Sequence, residues 1–260
     1  MFAYRFMIDA YAAGTAVAIT SGVLGWFMVL RRQTFTGHSL AVIGFPGAAA
    51  AALAGAPIAA GYFGACTLGA LALGGRRLRD TASAGTMQAV ALGLGVLFVG
   101  LYHGLLTDVT SLLFGTFLGI TDGDVAAIAV VCVATLALLA AGGRQLLFAS
   151  LDGESARAAG VRVDLLSYGF VLLLGLAVAA TSELTGALLV FALLVAPAAA
   201  AQQVTVRPVR SLALSVAIAL GVTWGGLALA YDSVYPVGFY VTSLAFAVYL
   251  VARVWRWANG

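Results

Sequence analysis

Nine apolar stretches of nearly bilayer length, each closed by charge, proline or glycine, run through this sequence at 9–30, 38–54, 57–75, 84–106, 125–147, 163–182, 186–205, 211–231 and 238–255. About twenty apolar residues in a helix cross a hydrocarbon core of about 30 Å. In lipid, a spanning backbone must satisfy its own hydrogen bonds, so helices are the expected solution. The pattern predicts an all-α polytopic membrane protein of about nine transmembrane helices. The composition agrees, with 63% hydrophobic residues and 9% charged. A soluble domain is nearer half apolar and a quarter charged. The apolar content covers the whole length, so residues 1–260 read as a single transmembrane domain. The first stretch lacks a basic leader and a cleavage site, and is expected to be a retained helix.

The breaks are Gly55-Ala56-Pro57, Arg76–Ser83, Thr107–Asp124 and, between the sixth and seventh stretches, Ser182–Thr185. Segment 111–120, "SLLFGTFLGI", is too short to span and reads as a short external or re-entrant helix. The net charge of +3 arises from thirteen basic residues, all arginine, against ten acids. With the N-terminus outside and the C-terminus cytoplasmic, twelve of the thirteen arginines fall inside and Arg5 alone falls outside. The positive-inside rule therefore selects this orientation for nine spans. The basic excess reports orientation and not nucleic-acid binding. Trp224, Tyr231, Tyr235, Tyr240, Trp255 and Trp257 lie near span ends, as interface anchors do. Cys66 and Cys132 lie inside apolar stretches and read as packing residues.

Residues 143–163 form the longest arginine-side connection. "LDGESARAAGV" offers Asp152-Gly153 as a cap, a short run of helix formers, and Gly160 as a stop. A short polar helix between two spans is a docking surface for a soluble partner or an ordinary loop with a helical turn. Pro197, within the seventh stretch, removes a helical hydrogen bond and can kink its helix.

Five segments carry a resemblance. They are "GVLGWFMVLRRQTFTGHSLAVIGFPGAAAA" (22–51), "LLFGTFLGIT" (112–121), "LLFASLDGESARAAGV" (146–161), "TGALLVFALLVAPAAAAQ" (185–202) and, more loosely, "YDSVYPVGFYVTSLAFAVYL" (231–250). In order and spacing the chain is similar to the permease subunits of bacterial ABC transporters for zinc, manganese and iron, the ABC-3 metal permeases. These are related to the larger vitamin B12 and siderophore permeases. The resemblance covers nearly the whole chain. It implies a subunit of a bacterial plasma (inner) membrane importer that works as a homodimer. A cytoplasmic ABC ATPase dimer would dock at a coupling segment of about 148–162, with Asp152, Glu154, Arg157, Ala159 and Gly160 as its contacts. An extracellular or periplasmic binding protein would deliver the substrate. ATP and Mg would sit on the ATPase: no G-x-x-x-x-G-K-[ST] loop occurs in this chain. The chain would be a transport subunit and no enzyme, with no cofactor of its own and a divalent metal as its transported substrate.

The same resemblance exposes a departure. The family's second helix commonly carries Asp-x-x-x-His before its Pro-Gly, with both side chains on one face. Here His38 stands at the Asp position and Val42 at the His position. Two copies would supply only two imidazoles, too few for a closed tetrahedral site. The expected pathway residues are His38, Val42, Pro46, Gly47 and Pro197, with Glu183 as a second metal or pathway candidate. His38 is either a pathway residue or a polar helix start bonded to Thr36, Ser39 or backbone. Glu183 is either a functional acid near the membrane or a helix cap in an outer turn. The same scaffold with a non-metal substrate is the alternative, followed by an ATP-independent channel or carrier. An intramembrane enzyme ranks last, for want of a paired nucleophile or acids.

Overall fold

The computed structural model describes residues 5–74, 81–102, 122–233 and 235–259; for 81–83, 122, 183–185, 187–188 and 259 it describes the helical backbone alone. The described elements are all helices: α1 (Arg5–Leu30), α2 (Thr34–Leu53), α3 (Ile58–Gly74), α4 (Thr81–Leu101), α5 (Asp122–Leu151), α6 (Gly153–Ala158), α7 (Val163–Val204), α8 (Pro208–Tyr231) and α9 (Val237–Asn259). Seven helical segments are long and apolar enough to cross a membrane. Two further apolar segments, Ile58–Gly74 and Leu189–Val204, are shorter. These are the third and seventh expected spans. Segment 111–120, His103 and Asp108 lie outside the described residues, as do Arg76, Arg77 and Arg79.

Two boundaries differ from expectation for local reasons. Helix α5 extends past the expected end at 147 to Leu151, because "LLFASL" contains no breaker; Asp152 stops it. The turn between the sixth and seventh stretches is not made by Ser182–Thr185. It is concentrated at Gly186, with φ 73° and ψ 152° inside α7. Only glycine adopts that region readily. The two limbs of α7 fold back on each other there. Both its ends lie near the end of α1: Arg31 donates to Ser167 Oγ, while Gln202 Nε2 donates to Trp26 O at 2.8 Å. A straight helix of 42 residues would separate its ends by about 60 Å at 1.5 Å per residue.

Helix α7 is the centre of the bundle and packs on α1, α2, α3, α5, α8 and α9. The buried core runs from Leu24, Trp26 and Met28 of α1 through Leu40 and Phe45 of α2 to Leu174, Val178 and Leu194 of α7. Lipid gives no hydrophobic drive between helices, so close backbone contact must hold them together. At Gly25 the approach is extreme: an added Cβ would sit 1.9 Å from Leu194 O. Both cysteines are buried and free, with Cys66 Sγ 3.5 Å from Leu40 O.

One polar knot pins the arginine-rich end. Arg31 donates from Nη1 to Ser150 Oγ of α5 at 2.9 Å and from Nη2 to Ser167 Oγ of α7. Its guanidinium lies 5.5 Å from the Phe170 ring centroid. Trp26 Nε1 donates to Ser211 Oγ of α8 at 3.0 Å. Four helices are thereby tied at one level. Arg31→Ala is expected to cost about 2 kcal/mol, the scale of hydrogen bonds to a charged group. Thermal unfolding in detergent reads the loss, and Arg31→Lys should recover only part, because an ammonium lacks the planar fork. A wild-type melting curve for the alanine variant would exclude this role.

Candidate functional site

The intramembrane polar centre lies where α2, α4 and the second limb of α7 meet. His38, one turn into α2, places Nε2 2.9 Å from Nε2 of Gln88 on α4. The ring stacks at 4.5 Å, centroid to centroid, on Phe191. Its Nδ1 is buried and, among the described residues, has no hydrogen-bond partner. If the Gln88 amide nitrogen donates, Nε2 accepts and the proton rests on Nδ1. With the amide turned round, Oε1 accepts from Nε2–H and the Nδ1 lone pair is left open. Either way a buried polar atom stays unsatisfied, at a cost of about 1–3 kcal/mol. A passing ligand that used this nitrogen would relieve it.

Neither Thr36 nor Ser39 holds His38 as the sequence suggested; Ser39 Oγ donates instead to Phe35 O at 3.0 Å. Val42, one turn further along α2, is buried and apolar. Pro46 and Gly47 lie along a cavity of about 570 Å³ between α2, α3 and α4, with Ala65, Met87 and Leu94 among its walls. Gly47 serves close packing: a Cβ there would sit 2.3 Å from Gly61 O of α3. Pro197 is buried in the second limb of α7, more than one turn beyond Phe191, and the helix continues through it. The backbone of Glu183 lies in α7 just before the Gly186 reversal; its side chain is outside the described ones. The structure thus gathers His38, Gln88 and Phe191, with Val42 one turn along α2, and places Pro197 further along the second limb of α7. Gln88 is not legible as a site residue in the sequence, because an amide is neither charged nor a strong metal ligand. A lone amide in an apolar helix was the signal available. Among the described residues no three His, Cys, Asp or Glu side chains cluster as a metal site.

The second site is α6, on the surface between α5 and α7. Asp152 Oδ1 accepts from the backbone N–H groups of Glu154 at 3.1 Å and Ser155 at 3.0 Å, and Oδ2 accepts from Ser155 Oγ. These bonds, led by the Ser155 side chain, hold the Asp152 carboxyl below its usual range. At the other end Gly160 takes φ 83°. Its N–H donates to Arg157 O, and that of Val161 to Ala156 O, each at 3.0 Å. This double closure with glycine in the left-handed position is a Schellman stop. Ala156 packs against Ala149 and Val163, while Glu154, Arg157, Ala159 and Gly160 are exposed. Arg157 reaches Asp164 at 3.5 Å, an exposed pair of little energetic weight. A rigid, capped turn with one buried anchor and a charged outer face can transmit a push to α5 and α7.

Comparison with known proteins follows the same outline. The family model described as "ABC 3 transport family" matches residues 3–256. The manganese transport system membrane protein MntC of Listeria monocytogenes is 29% identical over 96% of this chain and 88% of its own length. The chelated iron transport system membrane protein YfeC of Yersinia pestis is 31% identical over 84% of this chain and 75% of its own. Among solved structures, PsaBC from Streptococcus pneumoniae in complex with Fab superposes with a TM-score of 0.85. That match has 26% identity and covers 96% of this chain and 91% of the other.

Proposed function

The chain belongs to the ABC 3 transport family, and on that premise we propose that it forms, as a homodimer, the translocation pathway of an importer for divalent manganese, iron or zinc. It is a multi-pass protein of the bacterial plasma membrane. Cytoplasmic ATPases dock on α6 of each copy, and a binding protein delivers the ion to the opposite face. Nine crossings put the N-terminus outside and the C-terminus in the cytoplasm, in keeping with the arginine asymmetry. ATP is hydrolysed on the partner, and this chain supplies the path and the lever.

The observation that carries the reading is α6: a six-residue helix closed at both ends and presented on the surface between two long apolar helices. A helix so short has no stability of its own. Its double capping supports a contact that must survive repeated load. In the pathway, the His38 imidazoles of two copies offer nitrogen donors that manganese, iron and zinc accept. Two donors hold an ion loosely, and loose holding allows release. Gln88 orients the ring, as a hydrogen-bond partner on the far nitrogen of a metal-binding histidine does.

Purified full-length protein with its co-expressed ATPase, in vesicles, tests the reading through ATP hydrolysis stimulated by the binding protein loaded with Mn²⁺, Fe²⁺ or Zn²⁺. Silence toward every divalent ion, with hydrolysis still coupled, would remove the metal and leave the permease. Gln88→Leu is expected to raise the apparent KM for the ion about tenfold, the typical effect of losing such an orienting partner. An unchanged KM would leave Gln88 with a packing role. The non-metal alternative rests on one observation: among the described residues His38 meets an amide and a phenyl ring, and no three metal-binding side chains cluster.

A further inference from the structure

A cavity of about 820 Å³ opens between the end of α1, the second limb of α7 and α9. Its walls include Gln202, Gln203, Tyr249, Arg253, Arg256 and Trp257. Arg253 and Arg256 stand three residues apart on α9, where like charges repel. Arg253 Nη1 donates to the Tyr249 hydroxyl at 3.4 Å. Among the described residues neither guanidinium has a carboxylate partner. Arg256 lies in the last turn of α9, whose carbonyl end offsets about half a charge, less than the two present. A wall with two guanidinium groups favours an anion.

Three features favour a lipid over a soluble anion. The cavity lies at the end of the bundle pinned by Arg31, since its Gln202 bonds to Trp26 O. Trp255 and Trp257, 61% and 87% exposed, mark that level as headgroup depth. Phe246, Leu250 and Val254 form an exposed stripe along α9 that leads away from Trp257. We propose that this cavity holds the phosphodiester headgroup of an anionic phospholipid, with an acyl chain along Phe246, Leu250 and Val254. Two guanidinium groups repel divalent cations, and the cavity shares no lining residue with the His38 centre. Basic pockets between helices at the cytoplasmic interface suit anionic headgroups.

The test uses the full chain in phosphatidylcholine nanodiscs or mild detergent, titrated with phosphatidylglycerol. Bound lipid is counted by native mass spectrometry and stability read by melting temperature. Phosphatidylglycerol is expected to remain bound and to raise the melting temperature. The double variant Arg253→Gln, Arg256→Gln should bind it at least about fivefold more weakly, since each basic residue at the surface contributes about that factor. Gln203→Glu keeps both arginines, adds a negative charge to the wall, and should weaken binding in the same direction if the double variant fails to fold. Arg210→Gln, exposed at the same end outside the cavity, should leave binding unchanged. Equal phosphatidylglycerol binding in wild type and variants would overturn the proposal. So would an equal thermal shift from inorganic phosphate, which would make the cavity a soluble-anion site. A wild-type chain indifferent to phosphatidylglycerol would overturn it too, leaving the arginines to an acidic surface on a partner.

Discussion

Asp152→Ala is expected to uncouple ATP hydrolysis from transport while the transmembrane bundle stays folded. The carboxylate closes the N-terminus of α6 with two backbone bonds and one to Ser155 Oγ. Six residues cannot sustain a helix unaided. Removing one of its two caps should lower the equilibrium constant for forming α6 by roughly fivefold, the usual scale for an N-cap. Transport should fall by a similar factor, and the melting temperature of the bundle should not move. Asp152→Asn caps about as well and should retain most coupling. The pH dependence has a definite sign. The folded carboxyl is held below its ordinary value by the Ser155 side chain first and the backbone N–H groups next. Its stabilisation is therefore fully present above the unfolded aspartate range and is lost as pH falls through the lower, folded value. Coupling through this cap should be flat across neutral pH and fail only in acid. Full coupling in Asp152→Ala would show that the ATPase grips the permease elsewhere.

The second large effect is structural. Gly25→Ala should leave little folded protein, because the new Cβ would fall 1.9 Å from Leu194 O and 2.8 Å from Leu194 C. Overpacking a core against flexible side chains costs about 1–3 kcal/mol, occasionally more. Here the obstacle is the main chain of the central helix, so the cost should exceed that range. Fluorescence-detected size exclusion in detergent should show aggregate for Gly25→Ala and a single sharp peak for Gly221→Ala, where nothing lies within 4 Å. A sharp peak with an unchanged melting temperature for Gly25→Ala would mean that α1 and α7 separate more readily than their contact suggests. The facing pair Gly47 and Gly61, each of whose Cβ atoms would meet the other's carbonyl oxygen at 2.3 and 2.2 Å, should be sensitive in the same way.

Much of the helical arrangement is legible in the sequence because each membrane segment needs its own apolar run. Local chemistry likewise marks both ends of α6: Asp152 caps by side-chain geometry, and Gly160 stops by its positive φ. Contacts between distant segments are hidden. Gln88 lies fifty positions from His38, and no periodicity on either helix links the two. A ligand search based on i and i+4 looks along one helix, toward Val42, while the polar partner comes from another. Pro46-Gly47 shows a different limit. The dipeptide flags a special backbone position, yet it cannot tell whether a substrate or a neighbouring helix needs the space. In the structure Gly47 meets Gly61. Gly186 is a third case: acids and hydroxyls in "SELT" look like the turn, but the reversal falls on the next residue, whose missing Cβ permits it.

The reversal at Gly186 bears on how the chain enters the bilayer. The limb that follows it, residues 187–204, has eighteen residues, about 27 Å of helix against about 30 Å of hydrocarbon. Such a segment is at the short end of the spanning range if offered alone to the insertion machinery. Joined to the limb before it through one non-helical residue, Gly186, it has no connecting loop to be threaded across by itself. The two limbs should therefore partition as one helical hairpin, and the central element of the permease would be laid down in one biogenic event.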